Sequence, residues 1–111
     1  MVSTSEQASD RALNEAVQRL VDALHPERIY LFGSQARGDA TEESDYDLLI
    51  VVPGSGKLPH SRAVEAYAAV ATVPIAVDLL IWTRQAFERQ LPVVASVPAT
   101  VIREGRLLYA A

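Results

Sequence analysis

The chain contains no cysteine among its 111 residues, which excludes thiol nucleophiles, disulfide frameworks and cysteine-ligated zinc. Aromatic residues make up only 6%, too few for a surface that stacks successive bases. No apolar run approaches the roughly 18 residues of a membrane span. The start, Met-Val-Ser-Thr-Ser-Glu-Gln, lacks the basic-then-apolar pattern of a secretion signal. Positive charge is short as well: the formal net charge is −4, so there is no electrostatic footprint for nucleic acid. These absences together lead us to expect a cytoplasmic protein with no membrane segment and no direct nucleic-acid partner.

Half of the residues are hydrophobic, enough for one core, and the length leaves room for one domain. Residues 1–8 are expected to be a flexible N-terminus and residues 9–111 a single domain. From Ser9, Leu13, Ala16, Val17, Leu20, Val21 and Leu24 recur at spacings of three and four, the mark of an amphipathic helix. It should stop before His25-Pro26, with His25 a structural residue at the helix end. Arg28 to Phe32 reads as a strand running into Gly33, with one helical turn over 36–38. Asp45 to Val52 reads as a second strand ending at the flexible composition Pro53-Gly54-Ser55-Gly56-Lys57. That segment lacks the spacing and immediate helix of a Walker phosphate loop.

A second helix is expected from Pro59 to Thr72, with Val64, Tyr67, Ala68 and Ala71 on its apolar side and His60 solvated at its start. Ile75 to Trp82 is a third strand, and Arg84 to Leu91 a helix with Thr83 as N-cap. Pro92 and Pro98 make Val93 to Glu104 either one kinked helix or two pieces. Gly105 is a helix stop, and Arg106 to Tyr109 reads as an edge strand. The order helix, strand, loop, strand, helix, strand, helices predicts an α/β (α+β-like) fold: a small mixed β-sheet with helices packed against it.

The unusual stretch is 29–52. Asp45 and Asp47 alternate with Tyr46, so on a strand both carboxylates leave one face, their Cα atoms about 6.5 Å apart. Hard oxygen ligands in that arrangement suit divalent ions, although two solvated acids at a strand mouth would read the same way. Five acids within residues 39–47 concentrate negative charge there, so nucleotide would arrive with its magnesium. Gly33, directly after a strand, can adopt backbone conformations closed to other residues. Ser34 and the amides after it could then offer donors to phosphate oxygens. Arg37 could reach a triphosphate or the acidic cluster, and Ser44 could orient the second strand or be a plain loop residue. Asp78 is the one charge in an otherwise apolar strand, where an unpaired buried carboxylate is costly. A third ligand for the same cluster, or a locally hydrogen-bonded acid, would account for it.

Gly33-Ser34, ten intervening residues, then Asp45-Tyr46-Asp47 resembles the signature of polymerase-beta-like nucleotidyltransferases. The fuller strings Gly-Ser-Gln-Ala-Arg-Gly-Asp-Ala and Ser-Asp-Tyr-Asp-Leu are similar to the minimal nucleotidyltransferase branch, often paired with helical HEPN proteins in toxin–antitoxin modules. The resemblance is specific over residues 33–49 and looser over 10–111. It implies that Asp45 and Asp47 bind two magnesium ions, that Asp78 is the third catalytic acid and metal ligand, and that Gly33 and Ser34 hold the triphosphate; Arg37 and Ser44 stand beside them as further nucleotide-binding candidates. It further implies transfer of AMP from ATP to a tyrosine hydroxyl of a HEPN toxin in a hetero-oligomer, with this chain the antitoxin. The competing readings are a non-catalytic binding module and the catalytic subunit of a two-chain antibiotic nucleotidyltransferase.

Overall fold

The computed structural model describes residues 4–41, 45–56 and 58–111. Its elements run α1 (Thr4–Leu24), β1 (Arg28–Phe32), the single turn α2 (Ser34–Arg37), β2 (Tyr46–Val52), α3 (His60–Val70), β3 (Val77–Thr83), α4 (Arg84–Gln90), α5 (Val97–Glu104) and β4 (Arg106–Ala110). Among the described residues, no helix is long and apolar enough to cross a membrane.

The strands form one sheet in the order β3-β2-β1-β4. β1 pairs antiparallel with β2 and β4, while β2 and β3 are parallel. The parallel pair is what requires the α3 crossover between β2 and β3. This is the mixed sheet with packed helices that the element order predicts.

Strand alternation sorts the core into two layers. Ile29, Leu31, Leu48, Ile50, Val52 and Leu79 belong to the layer shared with Leu13, Ala16, Leu20 and Leu24 of α1 and Ala66 and Val70 of α3. Tyr30, Leu49 and Val51 point the other way, to Phe87 of α4 and Val101 of α5. There the rings of Tyr30 and Phe87 stack with centroids 5.9 Å apart. β2 lies between two other strands and is apolar on both sides from Leu48 onward, as a strand covered on both faces must be.

Several elements differ from the reading of the sequence. α1 begins at Thr4, before the apolar period starts at Ser9. A periodicity argument carries no signal before the recurring apolar residues of the sequence begin. The buried side of α3 is Ala66 and Val70, whereas Val64 and Tyr67 are exposed. With so many alanines, helix orientation follows the fit of small residues against α1, and the larger side chains are turned out. Arg62 donates to the Leu24 carbonyl (3.0 Å) and Arg19 to Thr72 Oγ1 (2.7 Å), fixing that orientation.

Pro92 and Pro98 give two pieces: turns over 91–96, then α5, with Pro98 in its first turn and Ser96 Oγ accepting from the Ala99 amide. His25 acts through its backbone, at φ 48°, closing α1 by donating its amide to the Val21 carbonyl. The glycine-rich connection after β2 is fastened to α4: Gln85 N donates to Gly54 O (3.2 Å) and Thr83 Oγ1 to Gly56 O (3.3 Å). Thr83 also caps α4 by accepting from the Ala86 amide, so its buried hydroxyl is satisfied.

Candidate active site

The register brings the sequence-predicted acids together. Asp47 stands opposite Phe32 on β1 and beside Asp78 on β3, a pairing of adjacent strands. Neighbouring strands lie about 4.8 Å apart. By alternation, Asp45, Asp47 and Asp78 leave the sheet on the face that α4 and α5 cover farther along. That cover gives out near Leu80, which is 38% exposed. Asp45 precedes β2 and is exposed; Asp47 is half-buried.

Asp78 is exposed, not buried as an apolar strand implies. β3 is an edge strand, and side chains at an edge reach solvent even when their neighbours do not. The acid is nonetheless partnered. The Tyr67 hydroxyl donates to Asp78 Oδ1 (3.3 Å) and accepts from the Leu79 amide (3.1 Å).

Like charges leave an electrostatic signature on the half-buried member. Burial pushes the Asp47 carboxyl above the usual aspartate range, Asp78 and Asp45 push it further, and Arg37 opposes them. A carboxylate that resists ionisation beside two others is a place where a cation would be welcome. Among the described residues, no three acidic or imidazole side chains converge as a finished ligand set.

Gly33 supplies the space. It caps α2 at φ 73°, ψ −156°, a backbone that favours glycine, and a Cβ there would collide with Asp47 Oδ2. Ser34 is the first helical residue and half-buried. The helix turn spans 34–37, not 36–38, and consumes some donors expected for phosphate: the Ala36 and Arg37 amides both bond the Gly33 carbonyl at 3.1 Å. Arg37 places its guanidinium against Asp39 (Nε to Oδ2, 3.3 Å) while acting on Asp47 through space. Ser44 lies outside the described residues. His25 and His60 are exposed, His60 opening α3.

Tyr67 is the residue that sequence reasoning missed. Its signal is a hydroxyl that needs a partner, but the partner depends on how α3 lies along β3. A separate concavity of about 220 Å³, lined by Glu27, Arg28, Arg84, Phe87 and Glu88 among others, sits at the Arg28–Val51 end of the sheet, away from the acids.

The chain matches the family described as nucleotidyltransferase domain over residues 11–107. It is 30% identical over 102 residues to a Methanocaldococcus jannaschii protein provisionally named a protein adenylyltransferase, across 86% of this chain and 96% of the relative. A Sulfolobus solfataricus crystal structure, provisionally named a nucleotidyltransferase, shares the fold with TM-score 0.61 at 20% identity, covering 99% of this chain and 90% of that one. A tyrosine-to-alanine mutant of a toxin–antitoxin called MntA–HpeT superposes with TM-score 0.58 at 25% identity, covering 89% and 72%. The match over nearly the whole chain, with the acids and the Gly33 turn assembled on one sheet face, means that this protein belongs to the nucleotidyltransferase-domain family and is a nucleotidyltransferase.

Proposed function

We propose that the protein transfers AMP from ATP to a tyrosine hydroxyl of a HEPN-type toxin and so acts as its antitoxin in a hetero-oligomer. The observation that carries this reading is the side-by-side placement of Asp47 and Asp78 across β2 and β3, with Asp45 on the same face and Gly33 beneath Asp47. The adenylyltransferase name of the relative and the toxin–antitoxin title of the structural neighbour support the choice of a protein acceptor. So does the chain's acidic balance, which disfavours a polynucleotide acceptor.

The raised carboxyl at Asp47 fits a cation site, and Asp45, Asp47 and Asp78 are the residues that would hold magnesium, two ions in the family arrangement. Such ions neutralise phosphate charge as it develops. In the transfer, the acceptor oxygen forms a bond to the α-phosphorus and the bond to pyrophosphate breaks. Asp78, exposed at the sheet edge, is reachable by an incoming hydroxyl and takes its proton. Gly33 and Ser34 line the approach of the triphosphate. Arg37, at the end of α2, would exchange Asp39 for a phosphate oxygen, and Ser44 is the remaining nucleotide-binding candidate of the sequence.

The test is intact-mass spectrometry of the protein mixed with magnesium, ATP and the product of the neighbouring gene, with Asp47→Asn run in parallel. Mass gains of whole AMP units on the partner, absent with the variant, are expected. A stable complex with both versions and no mass gain would instead make the chain a binding module.

A further inference from the structure

Tyr67 is a large aromatic that core packing does not explain: it is 43% exposed, on the flank of α3 beside the edge of β3. Its hydroxyl, however, makes two bonds to consecutive residues of β3. A phenol carries one proton and accepts through its lone pairs. The Leu79 N–H can only donate, so it occupies a lone pair. The Asp78 carboxylate can only accept when ionised, so it takes the proton. The two partners leave the hydroxyl one way to point. α3 in turn is held to α1 by Arg62, and the turn that follows it by Arg19, so the phenol reaches the strand edge from a fixed support.

We propose, resting on the nucleotidyl-transfer reading above, that Tyr67 is the positioning residue of Asp78: anchored by the Leu79 amide, its hydroxyl holds one carboxylate oxygen and turns the other toward the Asp47 side of the sheet. The edge position makes this necessary. Asp78 on β3 has no strand beyond it to fix its rotamer, and Asp47, the neighbouring like charge, pushes it outward. A carboxylate that is free to swing cannot keep one oxygen on a shared ion, and groups that orient such a ligand typically carry a 10- to 100-fold effect on affinity or activity.

The test compares the full chain with Tyr67→Phe, which keeps the ring and removes only the hydroxyl. Manganese(II) is titrated by electron paramagnetic resonance, and kcat and KM for ATP are measured with the partner as acceptor. We expect Tyr67→Phe to weaken manganese binding and lower kcat by about 10- to 100-fold each, with KM for ATP unchanged. A lower Tm with unaltered manganese affinity and kcat would make Tyr67 a strand-edge cap and overturn the proposal. A raised KM with intact kcat would overturn it too, by making Tyr67 a nucleotide contact. So would AMP found on Tyr67 itself by peptide mass mapping. A wild-type chain that neither binds manganese nor transfers AMP is a different failure: it removes the site reading, and the positioning role with it, before the variant is compared.

Discussion

Asp47 is half-buried at the start of β2, near two other carboxylates, and its carboxyl is pushed up by burial first, then by Asp78 and Asp45. The folded state therefore holds the Asp47 proton more tightly than the unfolded chain does. Ionised Asp47 destabilises the fold: the penalty is absent below the ordinary aspartate value of about 3.9, grows as pH rises, and is complete above the raised value. Asp47→Asn is thus expected to raise Tm at pH 7 and leave it nearly unchanged at pH 3, read by thermal unfolding at the two pH values. The same variant should lose transfer activity. A ligand that supports several kcal/mol of phosphate charge stabilisation corresponds to a loss on the order of 100-fold or more, at about 1.4 kcal/mol per tenfold. Stability gained where activity is lost is the expected mark of a functional charge. At this scale the sequence was informative about Asp45, Asp47, Asp78 and Gly33, because alternation and turn chemistry are local. Tyr67 was not legible, since its value comes from an edge that exists only once α3 has crossed over β3.

The turn from β1 into α2 separates two uses of glycine. Gly33 and Gly38 both have positive φ, 73° and 84°. An added Cβ at Gly38 meets nothing within 4 Å, whereas at Gly33 it strikes the Asp47 carboxylate. Gly38→Ala should therefore cost only the left-handed backbone strain, about 1–2 kcal/mol, and leave kcat unchanged. Gly33→Ala adds displacement of Asp47 and should abolish transfer as well, so paired thermal melts and rate measurements tell the two apart. At the far end of the sheet, Thr83→Ala removes both the α4 cap and the bond to Gly56, for an expected loss of about 1–2 kcal/mol in denaturant unfolding. Element existence was readable because short apolar runs bounded by Gly, Pro and polar residues mark the strands and a spacing of three and four marks α1. The outward side of α3 was not. Alanine-rich helices carry little amphipathic contrast, so their orientation is decided by what they pack against.

Two helical layers share the sheet unequally, and that division sets what mutations far from the acids can do. α1 and α3 cover one face with the larger cluster, while α4 and α5 cover only part of the other, leaving the carboxylates beyond their reach. The sequence predicted sheet and helices but not which helix takes which face, because that follows from strand order. Leu20 is fully buried under the sheet, on the side away from Asp45, Asp47 and Asp78. Leu20→Ala should cost about 2–5 kcal/mol from a total of about 5–15 kcal/mol typical of a domain. Its Tm should then fall by about 8–40 °C, at about 4–8 °C per kcal/mol for domains near this size. At 25 °C, where the variant remains folded, kcat and KM for ATP should match the parent. If kcat fell while circular dichroism showed an intact fold, packing beneath β2 would be setting the position of Asp47. The two faces of the sheet would then be one mechanical unit, and not a support and a separate reaction surface.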